Sequence, residues 1–241
     1  MDEYLTYEMK KLSLFLLLSL LFSCSRMNTI ELSGELEHGN GRMLHLSVLT
    51  AEGVQPLDSA MVRHDKFSFK LNTKKIEWME AGQPVFLQLS FTPDNGLTTL
   101  ARGGDSVSIK ADANQLVSSY RVSGPEDARL MWELDSALSS LVRYSDTLIQ
   151  IYHYYMDDDT VRSMVERRYN NAVAQHQQYL REFIHQHPHS FSTMIAFYQG
   201  YNNRRFFDET ADADLLRSLT DSLAEYYPNS QYVRWLQSRI R

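Results

Sequence analysis

The hydrophobic period of this chain changes once, at Ser123-Gly124-Pro125-Glu126, and that change limits the folds open to it. From Thr29 to about Val122, apolar residues alternate with polar ones in short runs separated by Gly, Asn and Asp. Beyond that point they recur at spacings of three, four or seven. The first pattern is that of antiparallel sheet with one face buried, the second that of amphipathic helix. The expected fold class is therefore α+β: an N-terminal antiparallel β-sandwich or open barrel, then an all-α array of about five helices.

In the first half, Ile30 to Leu36, Met43 to Leu49, Leu57 to Val62, Phe67 to Leu71, Pro84 to Phe91 and Val107 to Ala111 read as strands. Gly39-Asn40-Gly41, Arg63-His64-Asp65-Lys66, Gly82-Gln83 and Gly103-Gly104-Asp105 read as the turns between them. About seven or eight strands are expected in all. In the second half, Ser123 and Glu126 fit a capping box around Pro125, a residue tolerated in a first helical turn. The helix that follows carries Leu134, Leu138, Leu141, Leu148, Tyr152 and Tyr155 on one face over roughly eight turns. Asp157-Asp158-Asp159-Thr160 breaks and recaps the chain, and a second helix runs to about Gln186 with Val161, Val165, Val173, Leu180 and Phe183 inward. Pro188 ends it, because proline disfavours helix in the residue before it. Ser190 is expected to cap a third helix holding Met194, Phe197, Tyr198 and Tyr201. Leu215, Leu219 and Leu223 mark a fourth, and Val233, Leu236 and Ile240 a fifth after Pro228-Asn229-Ser230. Short connections between helices imply paired hairpins packed side by side.

The leading segment has a separate logic. Lys10 and Lys11 precede Leu12 to Phe22, which is apolar apart from Ser13 and Ser19, and Ser23-Cys24 follows. A basic start, a short greasy core and a small residue before the cut describe an export signal. The core is far below the roughly 20 residues of a membrane span. Leu21-Phe22-Ser23-Cys24 resembles the lipobox of bacterial lipoproteins. That likeness implies cleavage before Cys24, a diacylglycerol on its sulfur and an acylated amine, and several acyl chains suffice for stable anchoring. Met1 to Glu8 is unlike a signal n-region, so Met9 is the expected start. The expected layout is signal peptide over 1–23, lipidated tether over 24–28, β-rich domain over 29–122 and α-helical domain over 123–241. Ser25-Arg26-Met27 holds no acidic run of the kind associated with surface display, which points to the periplasmic side of the outer membrane.

Cys24 is the single cysteine, so a chain cut there has no disulfide, no Cys-x-x-Cys and no thiolate zinc site. Losing residues 1–23 removes two lysines and three acids and moves the net charge from −6 to −5. An acidic body is a poor nucleic-acid partner. No cofactor is implied. His185, His187 and His189 form the most metal-like cluster, but Pro188 interrupts the helix that would align them, and histidines also suit a helix C-terminus. Asp157 to Asp159 lack the glycine and downstream glutamate of a calcium loop and read as an interhelix cap. Arg204-Arg205 and Arg167-Arg168 read as solvated faces, and no nucleophile motif, phosphate loop or HExxH is present. Tyrosine and tryptophan are dense in the helical half. Most of these rings read as interhelical core with phenol tips reaching water, but Tyr152-His153-Tyr154-Tyr155 cannot all face inward on one helix, and the alternative makes Trp132, Tyr152, Tyr154, Tyr155, Tyr198 and Tyr201 the candidate interaction surface.

Several short segments also occur in a recognisable order. They are Leu57-Asp58-Ser59-Ala60, Asp65-Lys66-Phe67-Ser68-Phe69, Gly104 to Ile109, Val122-Ser123-Gly124, His187-Pro188-His189-Ser190 and Tyr227 to Tyr232. With the lipobox they resemble envelope lipoproteins of the thiol:disulfide interchange or peroxiredoxin type. In that family a β-rich N-terminal domain of unknown function and a helical segment precede a thioredoxin-like domain. The redox domain would begin just after a segment like Tyr232 to Arg241, where this sequence stops, as a truncated remnant would. His64-Asp65 stands where the family often carries Asp-Gly. The resemblance thus implies architecture and address, and without Cys-x-x-Cys it carries over no redox activity. The expected function is a non-catalytic, membrane-anchored binding or scaffold module. The alternatives are an accessory half of a redox system acting with a separate thioredoxin-like protein, and a metal-dependent enzyme built on the three histidines.

Overall fold

The computed structural model describes residues 28–76, 78–80 and 82–240; the expected export signal and Cys24 lie outside them. Eight strands come first: β1 (Thr29–Glu37), β2 (Met43–Leu49), β3 (Val54–Met61), β4 (Lys66–Asn72), β5 (Val85–Thr92), β6 (Asn95–Ala101), β7 (Ser106–Asp112) and β8 (Arg121–Ser123). They form two open four-stranded sheets, ordered β4-β1-β7-β8 and β3-β2-β5-β6. Alternation sets the faces. In β4, Phe67, Phe69 and Leu71 turn inward, and in β7 Val107, Ile109 and Ala111 do the same. Between the sheets these side chains meet Leu44, Leu46, Val48, Val85, Leu87 and Leu89 in one continuous core. Gly34 sits where β1 is squeezed between β4 and β7, and a Cβ there would lie 1.8 Å from the Ile109 carbonyl oxygen.

Two expectations about the sheet are corrected. The pairing is not antiparallel throughout: β1 and β7 run parallel from Glu31↔Ser106 to Glu37↔Asp112. The chain builds the whole second sheet between them, and parallel neighbours require a long crossover of this kind. In addition, β6 and β8 appear where no strand was anticipated, and a four-residue helix α1 (Leu116–Ser119) precedes β8. Pro93-Asp94 turns β5 into β6, whose Thr98 and Thr99 blur the apolar alternation. The His64-Asp65 turn holds the left-handed backbone that Asp-Gly would supply, with φ of 52° and 59°. Asn40 steadies it from across the loop, its Oδ1 accepting from the His64 amide (2.8 Å) while its own amide donates to Asp65 Oδ1 (3.0 Å).

Five longer helices follow: α2 (Glu126–Tyr154), α3 (Asp159–Gln186), α4 (Ser192–Tyr198), α5 (Ala213–Tyr226) and α6 (Gln231–Arg239). The capping box at the start of α2 is absent. Ser123 is paired in β8 with Ser108, and Pro125 occupies the cap with no side-chain bond. The acidic break between α2 and α3 does act as a cap, Asp158 Oδ1 accepting from the amides of Thr160 (2.9 Å) and Val161 (3.1 Å). Phe191 precedes α4 with helical backbone and no side-chain cap, while Ser190 acts at this terminus as expected, its Oγ accepting from the Ser192 amide at 3.3 Å; the helix stops at Tyr198, three residues short of Tyr201.

The two halves share a core. On β5 the neighbours Val85, Phe86 and Leu87 are all buried, because this sheet is covered on both faces. Val85 and Leu87 enter the sandwich, whereas Phe86, with Leu100 from β6, enters a second core made by the helices. Leu130, Met131 and Leu134 of α2, Phe183 of α3, Phe197 of α4 and Leu219 of α5 complete it. Each such side chain contributes about 1.5–3 kcal/mol on burial.

Polar pins cross the same seam. Asp127, 6 % exposed, accepts from Arg102 Nη2 at 2.6 Å and from the Ser190 hydroxyl at 2.7 Å. The buried Gln83 amide donates to Ser230 Oγ at 3.0 Å, and the Tyr232 hydroxyl donates to the Leu49 carbonyl at 2.7 Å.

Candidate functional site: an aromatic pocket at the seam

A cavity of about 290 Å³ opens where the second sheet meets α4 and α6. Phe86 forms its sheet-side wall, and Thr50 and Ala51 of the β2–β3 turn border it. Met194, Ile195 and Tyr198 come from α4, where spacings of three and four place side chains on one face. Tyr232 and Trp235, three apart on α6, close the far side. The rings support one another. Tyr232 meets Phe86 edge-on at 5.1 Å and Trp78 edge-on at 5.7 Å, while Tyr198 meets Trp235 at 5.1 Å. Such edge-on pairs are worth about 0.5–1.5 kcal/mol beyond their burial, so the walls are preformed.

The mouth is built by a tight hairpin, β9 (Gly200–Tyr201) and β10 (Arg204–Arg205). Asn202 and Asn203 between them have φ of 51° and 58°, the left-handed pair of a two-residue hairpin turn. A Cβ on Gly200 would lie 2.5 Å from the Arg204 carbonyl oxygen, so only glycine lets the hairpin close. Arg205 lines the cavity with its guanidinium carbon 5.1 Å from the Tyr198 ring centre.

Behind it stands Glu209, gripped by Arg239 through both oxygens at 2.9 and 2.8 Å and by the Tyr198 hydroxyl at 3.1 Å. Those Arg239 bonds hold the Glu209 carboxyl below its ordinary pKa, and burial followed by Glu209 pushes the Tyr198 phenol up. Arg205 Nη1 is 3.9 Å from Glu209, an ion-pair distance rather than a hydrogen bond. Two further hollows, of about 500 and 380 Å³, adjoin this rim and are lined by Arg204, Arg205, Asp208, Glu209 and Arg239 among others. The arrangement can enclose a small apolar body and face it with charge at one end.

The anticipated interaction residues do not converge. Of the six, only Tyr198 lines the pocket. Trp132 is half-buried at the sheet–helix junction, its indole N–H donating to the Tyr120 carbonyl at 2.8 Å. Tyr201 belongs to β9. Tyr152, Tyr154 and Tyr155 stand at the far end of the α2–α3 hairpin, where Tyr154 is 81 % exposed, Tyr155 47 % and Met156 56 %. The histidine cluster is scattered as well: His187 packs on Phe183, His189 stacks on Tyr226 at 3.8 Å, and His185 is exposed. Among the described residues no three His, Cys, Asp or Glu side chains gather to hold a metal ion.

The pocket residues outside the anticipated surface are Thr50, Ala51, Phe86, Met194, Ile195, Arg205, Tyr232 and Trp235. Arg204 and Arg205 are exposed, as a solvated face requires, and Arg205 also borders the cavity; Asn202-Asn203 was the available signal for the turn that presents it. No protein-family model and no curated protein matches the chain. Among the described residues no helix is long and apolar enough to cross a membrane.

Proposed function

We propose that this chain is an envelope lipoprotein whose folded body is a non-catalytic binding module, with the seam pocket as its ligand site. The observation that carries the reading is the preformed aromatic cavity at the junction of sheet and helices, the kind of place where small-molecule sites form. Acylated Cys24 would tether the module to the outer membrane on its periplasmic side, at the end of a short linker before β1. Two measurements test this. A clickable palmitate analogue should label the full chain in a Gram-negative host and fail to label Cys24→Ala; recovery of an unacylated, intact chain from the soluble cell interior ends the anchoring claim. Native mass spectrometry of the detergent-solubilised protein should reveal a co-purified small molecule that Trp235→Ala loses, and equal retention by that variant would move the site elsewhere.

A second reading is favoured by the exposed Tyr154, Tyr155 and Met156 at the end of the α2–α3 hairpin. Tyrosine and methionine are enriched where proteins dock. Here the hairpin receives a separate thioredoxin-like protein. A photo-crosslinker at Tyr154 in whole envelopes should capture a protein bearing Cys-x-x-Cys, and unchanged capture after Tyr155 and Met156 become serine would remove the reading.

A further inference from the structure

We infer that the seam pocket selects a small amphipathic organic anion, with an aromatic or branched apolar body among Phe86, Tyr198, Tyr232 and Trp235 and one carboxylate held by Arg205. This rests on the pocket being a ligand site, and it follows from the inequality of the charges at the mouth. Glu209 is already committed, since Arg239 bonds both its oxygens and Tyr198 bonds one of them. Its charge is balanced within the protein. Arg205 is different. Its nearest carboxylate oxygen is 3.9 Å away, and among the described residues none of its five N–H donors makes a hydrogen bond.

The guanidinium lies over the Tyr198 ring, on the hairpin that Gly200, Asn202 and Asn203 close, and with 59 % of its side chain exposed it is open to a ligand. A planar guanidinium fork can grip both oxygens of a carboxylate. Around it Arg204, Arg205 and Arg239 outnumber Asp208 and Glu209, and Asp208 Oδ1 already accepts from the amides of Thr210 and Ala211. The mouth is therefore cationic in a chain whose net charge is −6. Size narrows the body. At about 290 Å³ the cavity lies at the low end for ligand sites, which fits one ring on a short stem rather than a polymer. Such chemistry has two sources, a free monocarboxylic acid or the C-terminus of a peptide ending in an aromatic residue.

The test uses the detergent-solubilised full chain and isothermal titration with 3-phenylpropionate, 3-phenylpropanamide and 3-phenylpropylamine. The acid should bind at least tenfold more tightly than the amide, and the amine not at all. Arg205→Gln should bring the acid down to the affinity of the amide and leave the amide unchanged, while Arg205→Lys keeps part of the preference. N-acetyl-Ala-Phe and its C-terminal amide separate the sources: acid-dependent peptide binding assigns a chain terminus, and binding of 3-phenylpropionate alone assigns a free acid. Equal binding of acid and amide, or an Arg205→Gln variant that holds the acid as well as the unsubstituted chain, overturns the anion inference and leaves the pocket standing. Failure of every probe to bind the unsubstituted chain overturns the pocket reading itself.

Discussion

Asp135 shows how one residue's surroundings become a pH dependence. It projects from α2 toward the strand side, where the Tyr120 hydroxyl donates to its Oδ2 at 2.8 Å. Burial pushes its carboxyl up from 3.8 to about 6, and the Tyr120 bond opposes that rise only in part. Because the folded value lies above the unfolded one, folding favours the protonated acid. The contribution is most favourable below about pH 4, is lost between about 4 and 6, and above 6 is a constant penalty. The displacement corresponds to about 3 kcal/mol. Asparagine at this position still accepts from Tyr120 and carries no charge at any pH. Asp135→Asn should therefore match the parent near pH 4 and exceed its stability by up to about 3 kcal/mol at pH 8. Denaturant titrations at the two pH values check this, and a variant less stable than the parent at pH 8 would refute it. The sequence offered no hint of the pair, since Tyr120 and Asp135 lie on different elements with the β8 strand between them.

At the scale of elements, what was legible followed period and punctuation. Helices α2 and α3 have long amphipathic patterns, and Leu141, Leu148 and Val165 are buried between them as their spacing requires. Capping chemistry was legible where the side chain had no competing partner, as at Asp158, and misleading where it had one, as at Ser123 in β8. The hairpin of α2 and α3 extends well past its support. With 29 residues, α2 is about 43 Å long, and past Leu148 none of its residues is buried. Its tip thus depends on local interactions rather than core. Asp158→Ala should lower stability by about 1 kcal/mol, the usual worth of an N-cap. Replacing Tyr154, Tyr155 and Met156 together by serine should change it by less than about 0.5 kcal/mol, because exposed side chains rarely matter more. Thermal melts followed by circular dichroism distinguish the two. A large loss in the triple variant would mean that the tip is packed in solution and is not an open docking face.

For the molecule as a whole, the period change at Ser123 reads as a domain border, and side chains of both halves pack across it. The core of the helices takes in two side chains from the sheet, Phe86 and Leu100, and Phe191 and Tyr232 pack around Phe86. Sequence could not announce this, because the partners are more than a hundred residues apart and Phe86 looks like any apolar residue in a buried strand. The pocket is made by the same long-range meeting, which is why it escaped notice. If the seam binds the halves into one cooperative unit, weakening it must destabilise both together. Tyr232→Phe keeps the ring and removes the hydroxyl that donates to the Leu49 carbonyl and accepts from the Phe86 amide. The loss should be about 1–3 kcal/mol, the penalty for breaking a buried hydrogen bond. Phe86→Ala should cost about 3–5 kcal/mol, since it also leaves a cavity beside Tyr232. In both variants the helical signal at 222 nm and hydrogen exchange of the β5 amides should report one midpoint, shifted equally. Two midpoints, with the sheet unmoved while the helices melt early, would show that the halves fold separately and that the pocket lies between independent domains.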